Sequence, residues 1–146
     1  MSLNKLVLII CLTVACYFGY QKYELHVTEQ TDASILILTP KLNDIYFIDN
    51  GLLSGKSKRK NKYRLAKVVR VTDENIVVVY GRISYQWQSS VVNSIKFGEL
   101  SNNEYFMPTP KFISLNRVKE MKNNGSIYLV KRPMGKKLYG SFIGLN

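Results

Sequence analysis

Past residue 20 the chain has no cysteine; its two, Cys11 and Cys16, both lie before that point. That absence excludes a disulfide, a thiol nucleophile and a cysteine metal site from the remainder. Histidine is as scarce, with His26 alone, so no HExxH helix or paired-histidine metal site exists. A nucleophilic Ser54, Ser89 or Ser90 would have to take His26 as its base. Acidic residues number ten against twenty-one Lys and Arg, with no Asp-x-Asp, and the only adjacent pair, Asp73-Glu74, sits in a turn signal where solvation is the ordinary role. The stretch from Gly51 to Gly55 followed by Lys56 lacks the GxxxxGK[ST] spacing of a phosphate loop. The chain is therefore expected to be non-catalytic and to hold no metal or cofactor; an enzymatic reading would fall back on Glu104, Asp49 or His26.

Against these absences stands one long apolar run. Residues 6–20 are uncharged and follow Lys5. At 1.5 Å per residue they cover about 22 Å, and residues 3–23 with their polar ends about 30 Å. That is short for a spanning helix and ordinary for a signal-peptide core. Three readings stand. Cleavage needs small residues at −3 and −1, and Thr13 with Ala15 is the best pair. A lipoprotein would be lipidated at Cys16; Thr13-Val14-Ala15 before it resembles the bacterial lipobox, although Thr13 stands where leucine is usual. A retained anchor would use Tyr17, Phe18, Tyr20 and Tyr23 as an interfacial aromatic belt, with Lys22 reaching the headgroups. The anchor is the preferred reading, because the cleavage site is poor and the aromatic rim suits an interface; a buried core helix fits poorly, since the run is apolar on all sides rather than along one stripe. A short N-terminal tail with one lysine behaves like an export signal, so the expected location is a bacterial inner membrane. The protein would cross it once with its domain in the periplasm, or be a lipoprotein or secreted form.

The chain beyond residue 20 is long enough for one small domain. It contains all ten acids and twenty of the twenty-one basic residues, a surplus of ten positive charges. Lys56, Lys58, Arg59, Lys60, Lys62 and Arg64 form one cluster, and Lys131, Arg132, Lys136 and Lys137 a second. Such clusters favour phosphates, anionic lipid, a cell-wall polymer or an acidic protein, or simply keep a loop solvated. Nucleic acid is not expected, since only Tyr63 offers a stacking ring near the first cluster.

The chain divides into a membrane segment at 1–22, a stalk or first strands at 23–40, and a basic β-domain at 41–146. Alternation predicts strands at 23–28, 34–39 and 43–49. The clearest unit is a hairpin, residues 63–72 returning through 76–80 to Gly81 across the Asp73-Glu74-Asn75 turn. Further strands are predicted at 83–87 and 91–97, a bend at Pro108 and Pro110, and a short helix at 115–123 capped by Ser114 and stopped by Asn124-Gly125. A last strong strand covers 126–131. With Asn43-Asp44-Ile45-Tyr46 as a first strand and residues 61–81 as a central hairpin, this order is similar to SH3-like barrels. The resemblance spans about residues 41–131 and implies a mainly β, small open barrel with one short helix; an OB-like barrel is the alternative.

Binding features are richer than catalytic ones. Tyr85, Trp87 and Gln88, with Gln86, Ser89 and Ser90, combine aromatic area with adaptable amides and are the candidate partner-contact residues. Equally, Trp87 would serve as a cap on the core. The polyanion candidates are Lys56, Lys58, Arg59, Lys60, Lys62 and Arg64. The expected function is a membrane-tethered protein-binding module, most concretely an immunity protein against a secreted bacterial toxin. An accessory subunit of an envelope secretion or transport complex, and a binder of anionic lipid or cell-wall polymer, are the competing readings.

Overall fold

The computed structural model describes residues 3–55 and 61–144. Its first element is a single helix, α1, Leu3–Leu38, thirty-six residues and about 54 Å long. It is exposed through residue 28, and Ala33 and Ile37 near its end are buried. The strands expected at 23–28 and 34–39 are therefore absent. The hydroxyls there do not compete with the helix but join it: Thr28 Oγ1 donates to Glu24 O, Thr31 Oγ1 to Val27 O and Ser34 Oγ to Gln30 O, each at 2.9 Å. Once the apolar run has paid for helix nucleation, each further residue adds one hydrogen bond, and propagation carries α1 through alternating sequence that reads as strand. α1 is long and apolar enough to cross a membrane, which is compatible with an anchor or a signal sequence.

After Leu38 the chain builds one antiparallel sheet from β1 (Ile45–Asp49), β2 (Tyr63–Val71), β3 (Asn75–Tyr85), β4 (Phe106–Ser114) and β5 (Ile127–Lys131), in the order β4-β3-β2-β1-β5. The expected hairpin is β2–β3, longer than its alternation implied, because β3 continues past Gly81 to Tyr85. β4 runs through both Pro108 and Pro110, where the sequence reads as a bend. It is an edge strand, where a missing N–H costs no ladder bond. A two-stranded ribbon, β6 (Lys137–Leu138) with β7 (Ser141–Phe142), closes the described part.

Both faces of the sheet are covered. One carries Tyr46, Ile48, Ala66, Val68, Ile76 and Val78, packed under Ala33 and Ile37 of α1 and under Val118 and Met121 of α4 (Leu115–Asn123). The other carries Ile45, Phe47, Leu65 and Leu129, packed under Val91 and Ile95 of α3 (Gln88–Lys96), Leu100 of a 3₁₀ turn at Glu99–Ser101, and Leu138 and Ile143 of the tail. α3 occupies the residues expected to be the strand 91–97; Val91, Ser94 and Ile95 are its buried stripe at helical spacing. A short α2 (Asn50–Ser54) is capped by Asp49, whose Oδ1 accepts from the Gly51 and Leu52 N–H groups. The result is a mixed α/β arrangement around an open sheet. Among the described residues no closed barrel is found, so SH3-like or OB-like closure is not confirmed: β4 pairs only with β3 and β5 only with β1, and helices fill the space that closure would need.

Candidate functional site

The polar residues that come after the apolar run of α1 are built into the domain. Gln30 Nε2 donates to Tyr128 O at 3.0 Å, and Gln30 Oε1 accepts from Lys122 Nζ of α4 at 2.9 Å. One position earlier, Glu29 Oε1 lies 3.1 Å from Lys131 Nζ of β5. These contacts hold the helix against the short edge strand. Beyond them, toward the apolar run, α1 parts from the domain and leaves a groove of about 430 Å³. Leu25, His26 and Glu29 form one wall; Gln88, Ser89, Val92 and Lys96 of α3 form the other; Tyr128 and Tyr139 form the floor. The four α3 residues fall on one face because they follow the 3.6-residue period.

The floor is rigid. A register shift opposite Phe47 and Ile48 leaves Tyr128 as an extra residue in β5, and its ring stands edge-on to Phe47 at 5.9 Å and to Tyr63 at 5.5 Å. The Tyr128 hydroxyl is buried with no hydrogen-bond partner among the described residues. Burial pushes its pKa far above the ordinary 10, with Tyr63 next in effect. Burial and Glu29 raise that of Tyr139 to about 12. Both phenols are thus neutral hydrogen-bonding groups at physiological pH. The groove offers a phenol, amides, a histidine and a carboxylate already paired with Lys131, a set suited to recognition. Among the described residues no three His, Cys, Asp or Glu side chains come together.

No protein-family model, curated protein or solved structure matches the chain.

The three partner-contact candidates separate. Tyr85 is half-buried: its hydroxyl hydrogen-bonds Glu99 Oε2 at 2.8 Å and the Tyr105 hydroxyl at 3.0 Å, and its ring packs on the core. Trp87 stands 63% exposed just before α3, so it does not cap the core. Gln88, the first α3 residue, lines the groove. At the other end of α3, Phe97 is 82% exposed, and Ser141 Oγ donates to Lys96 O at 2.6 Å, which brings β7 and its exposed Phe142 to the same helix end.

Of the basic cluster, Lys56, Lys58, Arg59 and Lys60 lie outside the described residues. Lys62 Nζ lies 3.6 Å from Asp49 Oδ2 and over the Tyr63 ring. Arg64 Nε donates to Gly81 O, and its guanidinium lies over Tyr80. Those two cations are turned toward partners of their own. Cys16 is exposed on α1, and Asp49 serves as a helix cap. Sequence reasoning missed the α1 wall of the groove. Its one local signal was polarity, Gln-Lys-x-Glu-x-His-x-x-Glu-Gln at 21–30, which extends an apolar helix on a polar face.

Proposed function

We propose that the protein is a membrane-tethered, non-catalytic binding module facing the periplasm of a bacterium, most concretely an immunity protein that captures a secreted toxin. The observation that carries this reading is the unbroken helix. α1 passes from an apolar run directly into the packed core at Ala33 and Ile37, so one continuous helix joins the apolar segment to the folded domain. Exposed Trp87, Phe97 and Phe142 around α3 supply aromatic anchors of the kind that dominate protein interfaces. The surplus of ten positive charges after residue 20 would speed capture of an acidic partner. The test is co-expression with a toxin encoded beside it, reading protection and co-purification. Trp87→Ala is expected to weaken the complex at least tenfold, about 1.4 kcal/mol or more, with unchanged thermal stability; no protection and no complex would overturn the reading.

The second reading, an accessory subunit of an envelope complex, is favoured by the apolar part of α1, which is exposed along its whole length and open to packing against other membrane helices. Replacing residues 3–20 with an unrelated spanning helix while keeping 21–38 separates the two. An inhibitor keeps its protection after the exchange, and an integral subunit loses assembly. Binding of anionic lipid or cell-wall polymer rests on Lys58, Arg59 and Lys60; changing all three to glutamate abolishes vesicle binding if this reading holds.

A further inference from the structure

A second cavity, of about 240 Å³, shares no wall with the groove. At its side is a lysine in the middle of the sheet. Lys67 pairs across to Ile45 on one neighbour and Val79 on the other, and only 6% of it is exposed. Its ammonium donates to Gly144 O at 2.8 Å and lies 4.7 Å from the centre of the Phe106 ring. No carboxylate lies within ion-pairing distance among the described residues. An ammonium has three donors, and among the described residues one hydrogen-bond acceptor, Gly144 O, meets them. A buried cation with no counter-ion among the described residues is costly, and a methionine of similar reach would fill the position at no such cost.

The rest of the wall defines what would compensate that charge. Asn102 and Asn103 contribute amides, and Val69, Met107 and the Phe106 ring contribute apolar surface. Asn102 Oδ1 already accepts from the Glu104 N–H at 3.0 Å. The volume has room for roughly eight water-sized groups. One cation matches one negative charge; a phosphate dianion would need a second cation or an arginine fork, and the wall has neither.

We propose that this cavity binds an organic carboxylate carrying a short apolar body, with the carboxylate on Lys67 Nζ and the body against Phe106, Met107 and Val69. Burial lowers the pKa of Lys67, and a bound carboxylate would reverse that effect. Two sources share this chemistry, a free short-chain acid and the C-terminal carboxylate of a peptide. The site is independent of the capture reading, because filling it needs no protein partner.

The full chain in detergent micelles, at ionic strength matched with sodium chloride, is titrated with butyrate and with acetyl-alanyl-alanine, each against its neutral amide, by calorimetry and thermal unfolding. At least one carboxylate is expected to bind saturably and raise Tm while its amide does not, and the arm that saturates names the source. Lys67→Met is expected to weaken that binding at least tenfold. Equal responses to acid and amide, no saturable response to either acid, or tighter binding of inorganic phosphate would each overturn the proposal. The acid-against-amide comparison uses the unaltered protein, so it decides the matter even if Lys67→Met fails to fold.

Discussion

Asp44 shows how much one side chain holds together. It is fully buried; Oδ1 accepts from Arg132 Nε at 2.7 Å, and Oδ2 accepts from Arg132 Nη2 and from the Lys41 N–H, both at 2.8 Å. Arg132 Nη2 also donates to Thr39 O at 2.8 Å. One carboxylate thus clips the turn after α1 to β1 and to the residue after β5. Asp44→Ala leaves a guanidinium and an amide N–H without their acceptor and is expected to cost about 3 kcal/mol in urea unfolding. Gly81 makes the opposite point, since what matters there is an absent side chain. A Cβ would lie 2.9 Å from Cε1 of the Tyr105 ring, itself fixed by the Tyr85 hydroxyl. Gly81→Ala is expected to destabilise by about 1–3 kcal/mol through overpacking, seen as a lower denaturation midpoint with an unchanged m-value. From sequence this glycine reads as the end of a strand; in the fold it is where a strand continues beneath a ring.

Among the elements, those with local signals were legible and those decided by packing were not. α4 forms at 115–123 as its sequence implies. Ser114 Oγ accepts from the Arg117 N–H at 3.2 Å, and Gly125 comes next at φ 81°. β1, the β2–β3 hairpin and β5 are equally readable, because each is a short β-branched and aromatic run bounded by turn residues, with its two faces meeting the two cores. α3 was not, since Val91, Val92 and Ile95 suit either element and the buried contacts of Val91 and Ile95 with Leu100 decide between them. The second half of α1 differs from its pattern for the same reason: residues 34–39 alternate like a strand, yet Ala33 and Ile37, four apart, meet the sheet. The groove is hidden in the sequence on the same account, because its α1 wall exists only where the helix continues past the apolar run. Ile37, 4% exposed, is what seats α1 on the sheet. Ile37→Ala is expected to cost about 3 kcal/mol. It should also raise hydrogen exchange of the Gln30 and Glu29 side of the helix before that of β2 and β3, since local detachment precedes global unfolding.

For the whole molecule, charge and burial combine into a distinctive response to alkali. Six of the ten tyrosines have pKa values raised by burial above the ordinary 10: Tyr46, Tyr80, Tyr85, Tyr105, Tyr128 and Tyr139. Their native phenols keep protons that the unfolded chain releases near pH 10. The stability tied to them is complete below pH 10 and is lost as pH climbs through the raised values. Lys67 works the other way. Burial lowers its pKa below 10.5, so the native state sheds that proton earlier than the unfolded chain, and its share of stability rises with pH between the lowered value and 10.5. The two effects predict a modest gain in stability on the approach to pH 10, then a steep loss beyond it. Lys67→Met is expected to remove the gain and keep the loss. Tyrosinate absorbance at 295 nm checks the phenols directly: the native titration should lag behind that of the urea-unfolded chain, with part of the signal appearing only as the fold gives way. Coincident native and unfolded titrations near pH 10 would mean that these hydroxyls are open to solvent, and with them the Tyr128 floor of the groove.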